Sequence, residues 1–488
     1  MGMQALRIST RDGEFREVPA TEIERLQGRI AGRLLRRTEP EWAESVRLWN
    51  GMVRKEPALV VRPGSTRDVA EVIDFVRERG LLLSVKGGGH NIAGTAIAEN
   101  GVLLDLIGLR EVRVRPAARL ADVGAGCRIA DVDRATQEHS LATVLGFISE
   151  TGVAGLTLGG GLGYLARRFG WTVDNLEEVE IVTADGRVRL ANRREHEDLF
   201  WGIRGAGANL GAVTRFTFRL HRVGPTAFGG LIAWPFDRVR EVLDVYRETT
   251  ARAPRELAVW MVLLHAPPTP FVPADWVGKK ICAMAVTYTG DPARADAAAA
   301  PIRRLGDPVF DLLREQPYTE LQSYLDGTEP AGMHNYWKTE FLPGLSDQLF
   351  DTIVSEFAAC ELEGAEVGIL HLEGALNERP EDDGAVGNRN ARYVIGAKAL
   401  WAPDDPAGSE YPVWVRNCWT RVRPFSTGRT YINFQTADEG DERIRATYGS
   451  NFERLLALKE KYDPDNIFRS NRNVTPALHR PIAASGSS

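Results

Sequence analysis

Short apolar runs broken by glycine and proline fill the chain up to about residue 225, and beyond it they lengthen into longer strand and helix patterns. After a charged start with a helix-like run over Glu22 to Arg37, Ala58-Leu59-Val60-Val61 predicts a buried strand leaving through Arg62-Pro63-Gly64. Ser65 and Asp68 have capping-box spacing, Val69, Val72, Ile73 and Val76 recur at helical intervals, and Gly80 is placed to close that helix. Leu81 to Val85 predicts the next strand, giving a βαβ unit that runs into Gly87-Gly88-Gly89. His90 to Asn100 is polar and loop-like, and Val102 to Leu106 is again strand-like. A Rossmann glycine turn must open a helix whose N-terminus faces a pyrophosphate, so the strand at Val102 argues against an NAD site.

Strand patterns continue at Glu111 to Pro116 and Leu120 to Val123, a helix at Ile129 to His139, and strands at Glu178 to Thr183 and Val213 to Leu220. Past residue 225, strands are expected at Phe228 to Trp234, Leu257 to Leu264, Ile281 to Tyr288, Glu366 to Leu376 and Tyr393 to Leu400. Amphipathic helices are expected around Val239 to Tyr246 and over Leu345 to Cys360. Near the end, Thr430 to Gln435 reads as a short strand, and Ser450 with Glu453 as a capping box. The helix they start buries Phe452, Leu455, Leu456 and Lys459 and stops at Asp463-Pro464, and the small polar tail from Ala477 is expected to fray. The fold class is α+β, with an antiparallel sheet backed by helices in the second half.

Length and charge narrow the function. A chain of 488 residues exceeds one ordinary core, so at least two domains are expected. The net charge of -6 offers no footprint for nucleic acid, and no apolar run reaches the length of a membrane span. Residues Met1 to Arg16 lack a signal-peptide core, so a cytoplasmic location is expected. Cys127, Cys282, Cys360 and Cys418 are far apart, which suits free thiols in a reducing compartment, and the histidines form no metal-binding pair. No metal is expected.

Two glycine clusters carry the chemistry. Gly87 to Gly89 is followed about seventy residues later by Gly152 to Gly163, with six glycines in twelve residues, too many for an efficient helix or strand interior. One cluster alone would read as turn packing at a crowded sheet edge, whereas two imply anion-binding nests for a ligand longer than one phosphate, which a dinucleotide fits. His90, beside the first cluster, is either an inert loop histidine or a group at the ligand's working end.

Lys86-Gly87-Gly88-Gly89-His90-Asn91, the Gly152 to Gly163 run, Phe200 to Gly205 with Asn209-Leu210-Gly211, Tyr431 to Phe434, Tyr462 to Phe468 and Asn471-Arg472-Asn473 together resemble the berberine-bridge-enzyme-like branch of FAD-linked oxidases. The resemblance spans about Trp49 to Val474. It implies a PCMH-type FAD-binding domain of two subdomains over residues 1–225, completed by 440–478, and a substrate domain over 226–439 that roofs the flavin, with 479–488 as a tail. It implies FAD contacts from Lys86, Gly87, Gly88, Gly89, His90, Asn91, Gly94, Gly152, Val153, Gly155, Leu156, Gly159, Gly160, Gly161, Gly163, Val182, Asn433, Asn471 and Asn473. His90 matches the histidine that bonds covalently to the flavin, and Phe147-Ile148-Ser149-Glu150 has no cysteine where the family has its second attachment, so a single tether through His90 is expected.

The implied activity is oxidation of a small organic alcohol, amine or related group, with O2 as acceptor and hydrogen peroxide as product. The alternatives are a flavin dehydrogenase with another acceptor and a biosynthetic flavoprotein catalysing cyclisation or rearrangement. Val153 matches the position bordering the oxygen-access space, and a small branched residue there leans toward an oxidase. Tyr431 is the candidate base, needing a depressed pKa, with Lys338 as its helper; its alternative is a packed strand tyrosine. Tyr336, His371 and Glu373 are candidate substrate contacts, the last two being either pocket-lining or solvent-facing.

Overall fold

The computed structural model of the chain describes residues 5–475. The polar tail from Ala477, and with it the 479–488 segment, lies outside the described residues.

The expected βαβ unit is present with one addition. Leu59–Arg62 and Leu83–Lys86 are parallel, but both pair with Val102–Asp105, which lies between them, and Arg33–Leu35 closes the other edge antiparallel. The strand after the glycines is thus the centre of this sheet. The crossover helix Thr66–Arg79 starts where Ser65 accepts the Asp68 N–H and ends at Gly80, whose φ of 63° suits a residue without Cβ. Asp68 completes no reciprocal box; its carboxylate accepts the N–H groups of Ala31, Gly32 and Gly64 instead.

A second, antiparallel sheet runs in the order Val188–Asn192, Leu176–Val182, Ala212–Arg219, Leu120–Gly124, Val112–Arg115. One apolar core joins both sheets, and Phe452, Leu455 and Leu458 of the C-terminal helix Phe452–Tyr462 belong to it. The buried Lys459 ties that helix down, its Nζ donating to Asn209 O and Phe468 O at 2.9 Å and to Asp463 at 2.6 Å.

The third sheet has eight antiparallel strands. Its central run is Thr226–Pro235, Lys280–Tyr288, Leu257–His265, Ala365–His371, Tyr393–Trp401 and His334–Leu342, in that spatial order. Side chains of one parity, among them Val259, Met261, Val367, Ile369, Ile395 and Ala397, pack with helices Val239–Ala251, Asp347–Ala358 and Tyr411–Val422 in a second core. On Leu257–His265, Ala365–His371, Tyr393–Trp401 and His334–Leu342 the other parity is left for a cavity. The architecture is α+β, and among the described residues no helix is long and apolar enough to cross a membrane.

Several boundaries differ from the sequence pattern. The helix-like run at Glu22 is helical only over Ala20–Arg29, and the strand expected to reach Leu376 ends at His371. Thr430 to Gln435 is no strand but a 3-10 turn at Ile432–Phe434, because the sheet edge receives backbone bonds only at Thr427 and Arg429 before the chain turns inward. Asn451, not Ser450, precedes the last helix, and Glu453 pairs with Arg445. The glycine-rich run holds a short helix, Val153–Leu158, which its composition concealed.

The two glycine clusters meet backbone to backbone. A Cβ on Gly88 would stand 2.4 Å from Gly152 N, and one on Gly152 would stand 2.2 Å from Gly88 N. Gly28, in the helix Ala20–Arg29, has nothing within 4 Å of its missing Cβ. Gly88→Ala is therefore expected to destabilise the protein by about 1–3 kcal/mol, and Gly28→Ala to stabilise it by about 0.5–1 kcal/mol. Denaturant unfolding of both variants beside the wild type checks the opposite signs.

Candidate active site

A cavity of about 450 Å³ lies between the glycine clusters and the free face of the eight-stranded sheet. Gly87, Gly88, Gly89, His90 and Asn91 line one part of it, Gly152, Gly155, Leu156 and Gly159 another, and Asn433 and Asn471 reach it from the C-terminal segment. A Cβ on Gly155 would meet nothing within 4 Å, so the bare backbone here faces open space and not a packed neighbour. Other glycines serve packing: a Cβ on Gly94 would strike Val53 at 2.4 Å, on Gly161 Thr172 at 2.1 Å, and on Gly163 Leu145 O at 1.5 Å, and Gly160 has a φ of 117°. None of these four lines the cavity.

His90 is stacked on Trp49, with ring centroids 4.4 Å apart and 14° between planes. Its Nε2 is buried with no hydrogen-bond partner, and burial pushes the imidazole down to about 4, so it is neutral at pH 7. Trp49 is itself fixed by its Nε1–H, which donates to Glu329 O at 2.9 Å. Asn471 donates to Ala208 O and Phe468 O while its Oδ1 lacks a partner, and Asn473 Oδ1 is equally orphaned although that residue does not line the cavity.

Lys86, Val153 and Val182 also stand off the cavity. Lys86 donates to Ser45 O at 2.5 Å and pairs with Asp105; burial lowers its pKa against that partner. Val153 is fully buried, with its N–H on Cys127 O. All four cysteines are buried and unpaired.

Tyr431 lines the cavity, but its environment is the reverse of what a base requires. Burial pushes its phenol pKa upward, and the Gly161 N–H at 2.8 Å and the Asn433 amide at 2.7 Å, both donating to its oxygen, offset this only in part. Strand alternation removes Lys338 and Tyr336, because Trp337 and Thr339 take the cavity face of His334–Leu342. Lys338 instead donates to Thr436 and Asp438 at 2.8 Å, and Tyr336 donates to Asp438 at 2.6 Å. Against the opposing effect of burial, these donors hold Asp438 at about 2.

His371 and Glu373 are adjacent, yet neither lines the cavity. Arg167 donates to His371 Nδ1 at 2.8 Å, and since a guanidinium only donates, the ring proton sits on Nε2 and goes to Glu373 at 2.8 Å. Arg392 holds the other side of Glu373 at 2.7 Å.

The sequence reasoning missed the sheet's own contribution. Across three strands, the register aligns Trp337, Lys398 and Glu366 in one row and Thr339, Gly396 and Gly368 in the next, and all six line the cavity. Lys398 bonds Glu366 at 2.9 Å and also Glu329, which lines the cavity too. Burial alone would lower Lys398, but the two carboxylates raise it above its ordinary value, while burial raises Glu329. A lone charge in each of two otherwise apolar strands, at the parity opposite the core, was the available signal.

Two family models match: the FAD binding domain at residues 57–192, and the berberine and berberine-like model at 430–475. The (R)-6-hydroxynicotine oxidase of Paenarthrobacter nicotinovorans is 30% identical over 443 residues, covering 88% of this chain and 93% of that protein. This chain belongs to the berberine-bridge-enzyme-like FAD-linked oxidoreductases. An FAD-linked oxidoreductase of Dictyostelium discoideum is 29% identical over 452 residues, covering 92% and 95% of the two chains. In fold, the xylooligosaccharide oxidase of Myceliophthora thermophila matches with a TM-score of 0.82 at 19% identity, over 93% of this chain and 99% of that one. The site of this FAD-linked oxidoreductase fits its cofactor: the neutral imidazole of His90 with its partnerless Nε2, the open backbone at Gly155 and the orphaned Asn471 oxygen belong to residues that line the same cavity.

Acid sensitivity follows from the His371 pair. Burial holds His371 at about 4 against an ordinary 6.5, so the unfolded chain takes up its proton first, and the stability lost as pH falls from 6.5 to 4 is on the order of 3 kcal/mol. Glu373, kept at about 2 chiefly by the His371 hydrogen bond, contributes stability that is full above pH 4.5 and lost as pH falls through 2. Unfolding midpoints measured from pH 7 to 4 are expected to fall, and the fall is expected to be shallower in His371→Gln.

Proposed function

We propose that this protein is an FAD oxidase whose flavin is tethered through His90 alone and which oxidises a small organic substrate with O2, releasing hydrogen peroxide. The observation that carries it is His90: a neutral ring nitrogen without a partner, buried on the cavity wall and clamped by Trp49. A nitrogen so placed is desolvated, and bonding it to the cofactor removes an unsatisfied polar atom. Phe147-Ile148-Ser149-Glu150 offers no thiol for a second bond, and Cys127 is buried elsewhere, with burial raising its thiol pKa to about 12.

When bound, FAD supplies the hydride acceptor and the path of electrons to O2. The chain's own residues hold and shape. We assign the cofactor to residues 1–225 with 440–478 and the substrate to 226–439, because the cavity draws its glycine wall from the first and its sheet wall from the second. Tyr431, kept protonated by burial, is assigned as a hydrogen-bond donor toward the substrate; its oxygen already accepts from Gly161 and Asn433, which leaves its own proton to give. The relative named as an oxidase of 6-hydroxynicotine supports a small-molecule substrate. Four unpaired, buried thiols support a reducing, cytoplasmic setting.

Acid-precipitated wild-type protein is expected to stay yellow, while His90→Ala releases its flavin to the supernatant. Wild type that releases all its flavin would overturn the tether. Anaerobic photoreduction followed by air is expected to give reoxidation within seconds, and recovery over many minutes would identify a dehydrogenase. Tyr431→Phe is expected to keep its flavin and lose about tenfold to a hundredfold in kcat/KM, the cost of one hydrogen bond to a developing charge. A screen of sugars, amines, phenolics and polyketide-like alcohols for peroxide release supplies the substrate for that measurement.

A further inference from the structure

Residues 326–335 join the helix Tyr318–Gln322 to the strand His334–Leu342, yet they are bonded along their length to the N-terminal half of the chain. The Asp326 carboxylate accepts the Ser149 N–H at 2.7 Å and the Ser149 hydroxyl. Glu329 O accepts the Nε1–H of Trp49 at 2.9 Å, Gly332 N–H donates to Trp49 O at 2.9 Å, and Gly51 N–H donates to Met333 O at 2.8 Å. Asn50 closes the series, donating to Asn335 O and accepting Asn335 N–H, both at 3.1 Å. The fit is close, because a Cβ on Gly51 would stand 2.1 Å from Gly332 O. The Glu329 side chain is tied the other way, to Lys398 of the large sheet.

One segment therefore reaches both glycine clusters. Ser149 stands three residues before Gly152, and Trp49 stacks on His90, whose neighbour Gly89 accepts the Trp49 N–H at 3.0 Å. Trp49 is thus bonded to the first cluster through its N–H and to residues 326–335 through its carbonyl and its indole N–H. Trp337 of the sheet also packs on it, with ring centroids 5.7 Å apart. A ring fixed by all three of its polar groups gives the imidazole a rigid surface, and stacking on that surface restricts how the imidazole can turn.

We propose that residues 326–335 are a strap through which the substrate domain sets His90 for flavin attachment, with Trp49 as the positioning residue; the assignment rests on the proposed tether through His90. Attachment joins a nitrogen of the imidazole to the 8-methyl carbon of the flavin. One hydrogen leaves that carbon and one leaves the imidazole, and both pass to the flavin ring as two protons and two electrons, which O2 then takes to give hydrogen peroxide. The part of Trp49 and the strap in this step is placement. Trp49 holds the imidazole in one orientation, and the strap keeps Trp49 on it only while the segment is seated. Attachment therefore follows docking of the substrate domain and does not proceed on the cofactor-binding half alone.

The test incubates the full-length protein in air with added FAD and follows the acid-stable share of flavin over time, beside total flavin per chain and the melting temperature. Trp49→Leu is expected to bind FAD but to attach it about tenfold or more slowly than the wild type. Trp49→Phe, which keeps a stacking ring and loses the Nε1–H, is expected to stay within about threefold of the wild type. Gly51→Ala, whose Cβ meets Gly332 O, and Asp326→Ala loosen the strap without changing either ring, and each is expected to slow attachment about threefold or more. Attachment at the wild-type rate in Trp49→Leu, or an equal loss in Trp49→Phe, would overturn the positioning role. Wild-type rates in both Gly51→Ala and Asp326→Ala would overturn the strap, and these two variants decide the matter should Trp49→Leu fail to fold. Failure of the tether itself has a different signature, namely wild-type protein that releases all its flavin in acid.

Discussion

Everything at the cofactor side of this protein depends on one close approach, the meeting of Gly88 and Gly152 with no room for a Cβ on either. Van der Waals contact between two backbones brings the loop after Leu83–Lys86 against the start of the helix Val153–Leu158. Main-chain bonds anchor each side separately, Val153 N–H to Cys127 O on one and Trp49 N–H to Gly89 O on the other. Any side chain at the junction would separate the walls, and His90 would lose both its stacking partner and its place on the cavity. The glycines are therefore selected first by steric exclusion between segments, and only at positions such as Gly155 by space for a ligand.

The opposite wall obeys a different constraint, the two-residue period of the strand. The strands Leu257–His265, Ala365–His371, Tyr393–Trp401 and His334–Leu342 each spend one parity on the helix-backed core and the other on the cavity. That rule sorts Trp337 and Thr339 from Tyr336 and Lys338, and Glu366 and Gly368 from His371. It also explains why polar residues close in sequence have separate fates: Lys338 and Tyr336 are absorbed by Asp438 under the helix Tyr411–Val422, whereas Lys398, on the neighbouring strand, faces inward.

Much of the fold was legible because its signals are local. Ser65 and Gly80 mark the ends of a helix by chemistry acting over a few residues, and apolar runs such as Val102 to Asp105 need no distant partner to be recognised. The α+β class and the two glycine clusters followed from such signals, and the family from the resemblance of its motifs. What escaped depended on tertiary contact. Thr430 to Gln435 has strand composition but no partner strand beyond Arg429, and the short helix at Val153 is disguised by glycines required elsewhere. For the site, His90 could be singled out by its place after the glycines, whereas Glu329 comes from a loop whose position only the folded chain defines. The face each strand presents could have been read from alternation once the core parity was known, and that parity is a property of the assembled sheet.

The placement of the C-terminal helix carries a consequence for biosynthesis. Phe452, Leu455 and Leu458 fill the same core as Val72, Leu104 and Phe216, and Lys459 pins the helix to Asn209 and Phe468. A ribosome delivers the chain from its N-terminus, so the first sheets emerge with an apolar flank uncovered and stay so through translation of more than two hundred further residues. Closure of that flank waits until the helix Phe452–Tyr462 has been made. The nascent chain must be shielded from aggregation over that interval, and the cofactor wall is completed only when this helix docks, which places FAD binding after its synthesis.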